Sequence, residues 1–472
     1  MNITHSLQFI LPELVLLAFA LAAMIWGALS YSKNIVGVFA LIGVMLSAFF
    51  LPASFQAGSS AFSNMLVNDA FSVFFRAVFL FVAGIVILLS MGYRELEAEK
   101  GEYYFFLLIV TISMMLAVAS NHLMMIYIAV ETISIVSYIL VGYSRRDVLS
   151  SESGVKYFLF GALSTGIMLY GISLVYGMYG TLDLGLIAIH QNLPKVSLES
   201  FAFWLALGLI LVGLGFKASV VPFHMWTPDV YQGAPTPIAG FLSVGPKAVG
   251  FALLLRIFIQ NFHLGNWNIV AIVIAALTMT VGNVMAMGQQ SVKRLLAYSS
   301  IAQAGYIFVG LAAASTAGVQ AVLFYIVTYA LMNLGAFGCV IAISNSIKSD
   351  SIDGYAGFYK RDPFTAVVLT ISLLSLAGIP PLAGFLAKFF LLAAAVEAKL
   401  TALAVVAALN SVIALYYYLK IVKLMFFRES QETALVPQSF AIQSALLITV
   451  VGNVVLGIWP HWIMDWLAVF HN

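Results

Sequence analysis

Charge is what this 472-residue chain has least of. Charged side chains make up 8% of it, against 62% hydrophobic residues, where a soluble domain carries roughly a quarter. So little charge cannot cover a water-facing surface, which leaves lipid as the solvent. The charges present nearly balance, 21 Lys and Arg against 19 Asp and Glu, so no nucleic-acid partner is indicated. Cysteine is almost absent. Cys339 alone, inside an apolar run, cannot build a disulfide, an iron–sulfur cluster or a zinc site; it reads as a small core residue. There is no dinucleotide-binding glycine fingerprint and no convincing pair of haem histidines, so an independent redox enzyme is excluded. The N-terminus, MNITHSLQFILPELVLL, lacks a basic region and a small-residue cleavage site. It reads as a retained first helix rather than a signal peptide, and no transit pattern is visible.

What the chain does have is long apolar runs. A span needs about 20 apolar residues. The sequence predicts an all-α polytopic membrane protein of about fourteen transmembrane helices. They fall over 8–29, 35–55, 70–92, 103–119, 122–142, 156–178, 202–231, 238–260, 267–287, 294–313, 317–342, 364–395, 401–426 and 438–458. Only Ser120, Asn121 and His122 separate the fourth from the fifth, which requires a tight turn. Loops after odd-numbered helices carry Lys33, Arg94, Lys100, Arg145, Arg146, Lys156, Lys293, Arg294, Lys348, Lys360, Arg361, Lys420, Lys423 and Arg428. Loops after even-numbered helices carry only Lys195 and Lys399. That asymmetry predicts cytoplasmic odd loops and both termini on the outer side.

Two spans are too long and hold breakers. The seventh contains Val221-Pro222 and Thr227-Pro228-Asp229; the twelfth contains Gly378-Ile379-Pro380-Pro381. Proline removes a donor and clashes with the preceding turn, and broken backbone survives in a membrane only inside protein or along a wet cavity. Breaks five helices apart predict two five-helix repeats, inverted because five is odd, as in transporters. The expected division is a three-helix segment 1–102, a first repeat 103–262 with broken helix 202–231, a second repeat 263–428 with broken helix 364–395, and a C-terminal helix in 429–472.

Most charges lie near helix ends, where Arg76, Arg256, Lys420 and Lys423 are expected to snorkel to the interface. Four do not: Glu131 in IYIAVETISIVSYIL, Lys217 after LILVGLGF, Lys247 in FLSVGPKAVGFALLL and Lys388 in PPLAGFLAKFFLL. A charge at mid-membrane costs at least about 2.5–3.5 kcal/mol. Glu131 with Lys217 could be a salt bridge that fixes helix register, but one carboxylate cannot neutralise three lysines. Burial penalises a lysine's charge and a carboxylate favours it. A lysine between these influences loads and releases a proton when its neighbour changes, so the four suggest a relay linked by water. His224, beside the first break, suits proton transfer at neutral pH or pins the broken backbone by a hydrogen bond. Asp229 is expected to cap its loop. Lys293 and Arg294 read as interface anchors. Tyr298, Ser299, Ser300 and Gln303 either hold water or bond neighbouring helices.

Taken together, FKASVVPFHMWTPDVYQGAPTP, VKRLLAYSSIAQAGYIFVG and LAGIPPLAGFLAKFF resemble the antiporter-like subunit family of respiratory complex I over essentially the whole chain. SSESGVKYFLFGALSTGIMLYGISLVYGMYGTLDL and YALMNLGAFG are similar to one branch of it. The resemblance implies that Glu131 and Lys217 form the charged pair of helices five and seven, and that Lys247 and Lys388 are the lysines of helices eight and twelve. His224 would assist in the cytoplasmic half-channel. It implies a non-redox, proton-translocating subunit of an NADH–quinone oxidoreductase in the bacterial cytoplasmic membrane, with other membrane subunits, antiporter-like ones included, as partners. No cofactor would be bound here; NADH, FMN, iron–sulfur clusters and quinone would belong to partner subunits. NADH is the default donor, though ferredoxin-linked relatives use similar membrane subunits. Gln303 and Asn333 stand where wider relatives carry histidine and lysine, which leaves the second half fewer titratable groups. A subunit of a multisubunit cation/proton antiporter and a non-conducting structural subunit are the competing readings; three buried lysines argue against the latter. Loop 180–200 has no assigned role.

Overall fold

The computed structural model describes residues 3–29, 33–55, 59–95, 100–190, 201–261, 267–347, 349–429 and 435–468. Among these, helices dominate. In hydrocarbon every backbone N–H and C=O must find a partner within the protein, and a helix supplies them locally. The helices are α1 (Ile3–Phe9), α2 (Leu11–Leu29), α3 (Lys33–Ser54), α4 (Ala70–Gly92), α5 (Lys100–Ala119), α6 (Leu123–Val141), α7 (Val148–Tyr179), α8 (Leu184–His190), α9 (Phe201–Ala218) and α10 (Thr227–Gly233). They continue with α11 (Thr236–Leu254), α12 (Trp267–Met287), α13 (Val292–Ala313), α14 (Thr316–Ile347), α15 (Pro363–Ala377), α16 (Ala383–Glu397), α17 (Thr401–Phe427), α18 (Phe440–Ile458) and α19 (His461–Ala468). Thirteen helices among the described residues are long and apolar enough to cross a membrane, and α15 is a shorter apolar helix. With α15 and α16 read as one interrupted span, the expected fourteen are all present, and the chain is a multi-pass membrane protein.

Two compact units divide the chain. The first comprises Met1–Ile87, Glu97–Ser219 and Gly245–Gly265; the second comprises Leu88–Leu96, Val220–Val244 and Asn266–Asn472. In the first, a small hairpin of β1 (Ser59–Ala61) and β2 (Leu66–Asn68) bridges to Ser120, inside the tight α5–α6 turn. His122 in the same turn bridges to Asp183. The polar sequence between the apolar runs hides these elements, along with α1, α8 and α19. Helix α7 starts eight residues before the expected 156, because the Asp147 side chain accepts from the Leu149 N–H at 3.0 Å and caps a turn of SSES that precedes the apolar run. Residues 191–200 of the loop 180–200, Lys195 and Lys348 lie outside the described residues.

Both expected breaks are present. The seventh span stops at Ala218 and resumes as α10, with Ser219 at φ 57° and Pro228 in the first turn of α10. The twelfth stops at Gly378, φ 88°, and resumes as α16. Each break contains a cis X–Pro bond, Val221–Pro222 and Pro380–Pro381. The architecture is therefore two five-helix repeats, each with one broken helix, and an odd repeat length inverts the second copy.

Two arginines expected to snorkel do not. Arg76 is fully buried, its Nε 3.0 Å from Glu13 Oε1 and its guanidinium 5.2 Å from the centre of the Phe9 ring. Arg256 reaches Asp69 at 3.0 Å over the Phe71 ring. A carboxylate distant in sequence, which periodicity within one helix cannot reveal, offers a closer partner than the interface.

Candidate functional site

Glu131, Lys217 and Lys247 belong to the first unit. Lys217 sits in the last turn of α9 and is 2% exposed. Among the described residues its ammonium has no hydrogen-bond partner, and it lies 5.9 Å from the centre of the Tyr157 ring. No salt bridge joins it to Glu131, so the register-fixing pair is not formed. What stabilises the ammonium instead is the ring face and the negative end of α9. Tyr157 stacks on Phe216 at 5.9 Å and meets Tyr138 edge-on at 4.9 Å. Glu131, on α6, is half-buried, with Oε2 unpartnered. Lys247 is 3% exposed on α11, one turn before Gly250. A Cβ on Gly250 would stand 3.0 Å from the Ala218 nitrogen and 3.3 Å from the Lys217 Cβ. A glycine there lets α11 press against the end of α9 that carries Lys217.

His224 and Lys388 belong to the second unit. His224 is half-buried in the irregular stretch after the first break, where its carbonyl accepts the Thr227 N–H at 3.0 Å. The Val221 N–H donates to Thr278 Oγ1 at 3.1 Å. Beyond the break, α10 is clamped by the start of α13. Arg294 Nη1 donates to Asp229 Oδ1 at 2.7 Å and to Gln232 Oε1 at 2.9 Å, and Lys293 Nζ to the Gln232 and Ala234 carbonyls at 3.1 and 3.3 Å. Lys293 and Arg294 are thus ties on the broken helix rather than interface anchors. Asp229 is an ion-pair partner rather than a cap.

The second break shows why Lys388 is where it is. A helix that ends inside the membrane leaves its last four carbonyls orphaned. The Leu374 carbonyl accepts from the Gly378 and Ile379 N–H groups at 3.1 and 3.0 Å, and that of Ser375 from Gly378 at 2.9 Å. Gln303 Nε2 donates to the Leu376 carbonyl at 3.0 Å. The last, Ala377, receives Lys388 Nζ at 3.0 Å and Ser411 Oγ at 2.9 Å. Lys388 Nζ also donates to Ser411 Oγ at 2.9 Å and lies 4.4 Å from the centre of the Tyr306 ring. A cavity of about 200 Å3 adjoins it, lined by Tyr306, Gly378, Phe385 and Ser411 among others. A Cβ on Gly378 would stand 2.9 Å from the Lys388 Cδ, at a φ that side chains rarely adopt. Gly378→Ala is therefore expected to cost roughly 1–2 kcal/mol from backbone conformation alone and to push Lys388 off the Ala377 carbonyl. Differential scanning fluorimetry of the purified complex should register a lower midpoint.

From Lys388 a polar network runs through α12, α13, α14 and α17. Asn283 Nδ2 approaches Tyr306 Oη at 3.5 Å and Asn410 Oδ1 at 3.1 Å, while Tyr417 Oη donates to Asn283 Oδ1 at 2.9 Å. Gln303 donates to Tyr418 Oη at 3.2 Å and accepts from Tyr325, and Tyr418 shares a short hydrogen bond with Ser299. Ser299 and Gln303 thus bond neighbouring helices. Asn333 donates to Ser243. Sequence reading passed over Asn283, Tyr306, Asn410 and Ser411. Their signal was an uncharged polar residue within an apolar span, as in TVGNVMAM and AALNSVIAL. Cys339, as expected, is core; its thiol approaches the Thr365 carbonyl at 3.5 Å. Among the described residues, no group of His, Cys, Asp and Glu is placed to hold a metal ion.

Fold and buried lysines together describe a membrane subunit of the ion-translocating class. Residues 120–414 match the family described as NADH:quinone oxidoreductase/Mrp antiporter, transmembrane. NADH-quinone oxidoreductase subunit N of Trichlorobacter lovleyi is 39% identical over 98% of this chain and 96% of its own length. NAD(P)H-quinone oxidoreductase subunit 2 of Gloeobacter violaceus is 42% identical over 89% of this chain and 83% of its own. A chain of respiratory complex I from Thermus thermophilus superposes with a TM-score of 0.83 at 33% identity, covering 97% of this chain and 99% of that one. The chain belongs to the NADH:quinone oxidoreductase/Mrp antiporter membrane family, within which it groups with the subunit N members.

Proposed function

We propose that this chain is the proton-translocating membrane subunit of an NADH-quinone oxidoreductase, in which quinone reduction elsewhere in the complex drives proton transfer through Glu131, Lys217, Lys247, His224 and Lys388. The observation that carries this reading is Lys217, buried at 2% exposure with no hydrogen-bond partner for its ammonium among the described residues. A scaffold gains nothing from that cost, whereas a proton carrier needs a site that is poorly solvated and responsive to a nearby carboxylate. Glu131 is that carboxylate. Lys388 and the network from Tyr306 to Tyr325 would continue the path in the second unit.

On this reading NADH, flavin, iron–sulfur and quinone chemistry resides in partner subunits, and the chain is itself non-redox. Its exposed apolar faces pack against lipid and other membrane subunits, antiporter-like ones included. It lies in the bacterial cytoplasmic membrane with both termini outward, and its repeats run over 103–262 and 263–428 between the three-helix segment 1–102 and the C-terminal 429–472. Relatives named as quinone oxidoreductase subunits favour this over a multisubunit cation/proton antiporter. The test is Lys388→Gln in membrane vesicles that carry the whole complex. A glutamine amide keeps an N–H donor for the Ala377 carbonyl but does not bind or release a proton at neutral pH. The expected result is an assembled complex on a native gel with proton pumping and coupled quinone reduction falling together. Normal pumping would make Lys388 a helix cap only.

A further inference from the structure

The cavity of about 200 Å3 beside Lys388 reaches the surface of the second unit. Phe385, Lys388, Phe389 and Leu392 line it from α16 at i, i+3, i+4 and i+7, one helical stripe. Ala407, Ala408 and Ser411 line it from α17, where the two alanines leave room. Phe389 and Ala408 are exposed and Ser411 is half-buried, so the cavity opens sideways between α16 and α17. The rings of Phe385 and Phe389 stack at 6.3 Å along one edge of the opening. Beyond it, the exposed Leu409 and Val412 continue the apolar surface.

One ionisable group stands in this apolar setting. Lys388 is 6% exposed. An ammonium has three donors, and Nζ uses two of them, on the Ala377 carbonyl and Ser411 Oγ. The helices that line the cavity or lead into it, α13, α15, α16 and α17, carry one acidic residue between them, Glu397. Glu397 ends α16, about 13 Å along the helix axis from Lys388. These helices therefore supply no counter-charge. The same depth keeps a phospholipid phosphate, held at the membrane interface, out of reach. A carboxylic acid is not so confined, because it enters hydrocarbon in its neutral form. Beside Lys388 its proton passes to the neutral Nζ amine. The carboxylate and ammonium so formed carry no net charge, and the third N–H donates to the carboxylate. A cavity of about 150 Å3 accommodates benzene, so this one has room for a carboxyl group and several methylenes.

We propose that this cavity binds a long-chain carboxylic acid, with its carboxyl group on Lys388 Nζ and its chain leaving between α16 and α17 over Phe389 and Leu409. The chain covers the apolar lining, which a single acidic side chain of a neighbouring subunit would leave bare. Binding there does not depend on proton translocation. Where Lys388 is a carrier, a bound acid holds the proton on Nζ and takes that carrier out of the path.

The experiment uses the assembled complex in lipid vesicles. The probe is hexadecanoic acid with a photoactivatable diazirine near its carboxyl end, and cross-linked peptides are read by mass spectrometry. The acid should label α16 and α17, and excess unmodified hexadecanoic acid should remove the label. The methyl ester of the probe, which has the same chain and no ionisable group, should label these helices several-fold less. Lys388→Met removes the charge and Ala408→Phe fills the opening, and each should lower labelling by the acid several-fold. Equal labelling by acid and ester, or wild-type labelling of Lys388→Met, overturns the site as adventitious lipid contact. Absence of label from both helices, as when a side chain of a neighbouring subunit fills the cavity, overturns it too. The comparison of acid with ester on the wild-type complex decides the matter even if a variant fails to assemble.

Discussion

Lys217→Met should leave the complex assembled, with a thermal midpoint equal to or above that of wild type, and lower proton pumping and coupled quinone reduction about a hundredfold, the low side of what a positioned proton-transfer group contributes. The two signs together make the prediction discriminating. Methionine keeps most of the lysine's volume, so no large cavity forms. Among the described residues the ammonium it replaces makes no hydrogen bond, and it is held by the Tyr157 ring and the end of α9. Replacing an unpaired buried polar group by an apolar one of similar shape is neutral or stabilising. A structural lysine would behave in the opposite way, with stability falling and turnover per assembled complex unchanged. Stability is read by thermal unfolding of purified complex, and pumping by quenching of a pH-sensitive dye in vesicles.

Arg76→Met should be the most destabilising single change named for this chain, about 3–5 kcal/mol, because it leaves the Glu13 carboxylate buried and uncompensated. Glu13 is 3% exposed and Arg76 not at all, and their contact at 3.0 Å joins α2 to α4. The double replacement Glu13→Leu with Arg76→Met should recover most of the loss, since a buried pair exchanged for apolar residues of similar volume is often neutral or better. Assembly on a native gel and the thermal midpoint report both variants. A double variant as unstable as the single one would show that the pair is worth more than its mutual neutralisation. Pumping per assembled complex should be unchanged in the double variant, because neither residue is among the proposed carriers.

The sequence disclosed the spans almost completely, because span length and apolarity are properties of consecutive residues. Both breaks were visible for the same reason: Val221-Pro222 and Gly378-Ile379-Pro380-Pro381 are local signals. The proposed carriers were visible as single charges in apolar surroundings. What the sequence could not disclose was pairing across helices. Arg76 and Arg256 resemble snorkelling residues until Glu13 and Asp69 stand beside them. Lys293 and Arg294 look like anchors until α10 lies against them. Gln303 was noted as a missing histidine, yet its amide serves the Leu376 carbonyl at the second break. Each of these depends on tertiary placement, and periodicity within one helix carries none of it.

The lone thiol has a practical corollary. Cys339 is wholly buried between apolar neighbours and engaged with the Thr365 carbonyl, and a thiol without exposure or thiolate character does not react with aqueous reagents. For labelling chemistry this chain is therefore silent as it stands. A cysteine introduced at an exposed position such as Met225, beside the first break, would be the sole reactive thiol of the subunit. A fluorophore or spin label there would report movement of the broken helix during turnover, with no need to remove the native residue first.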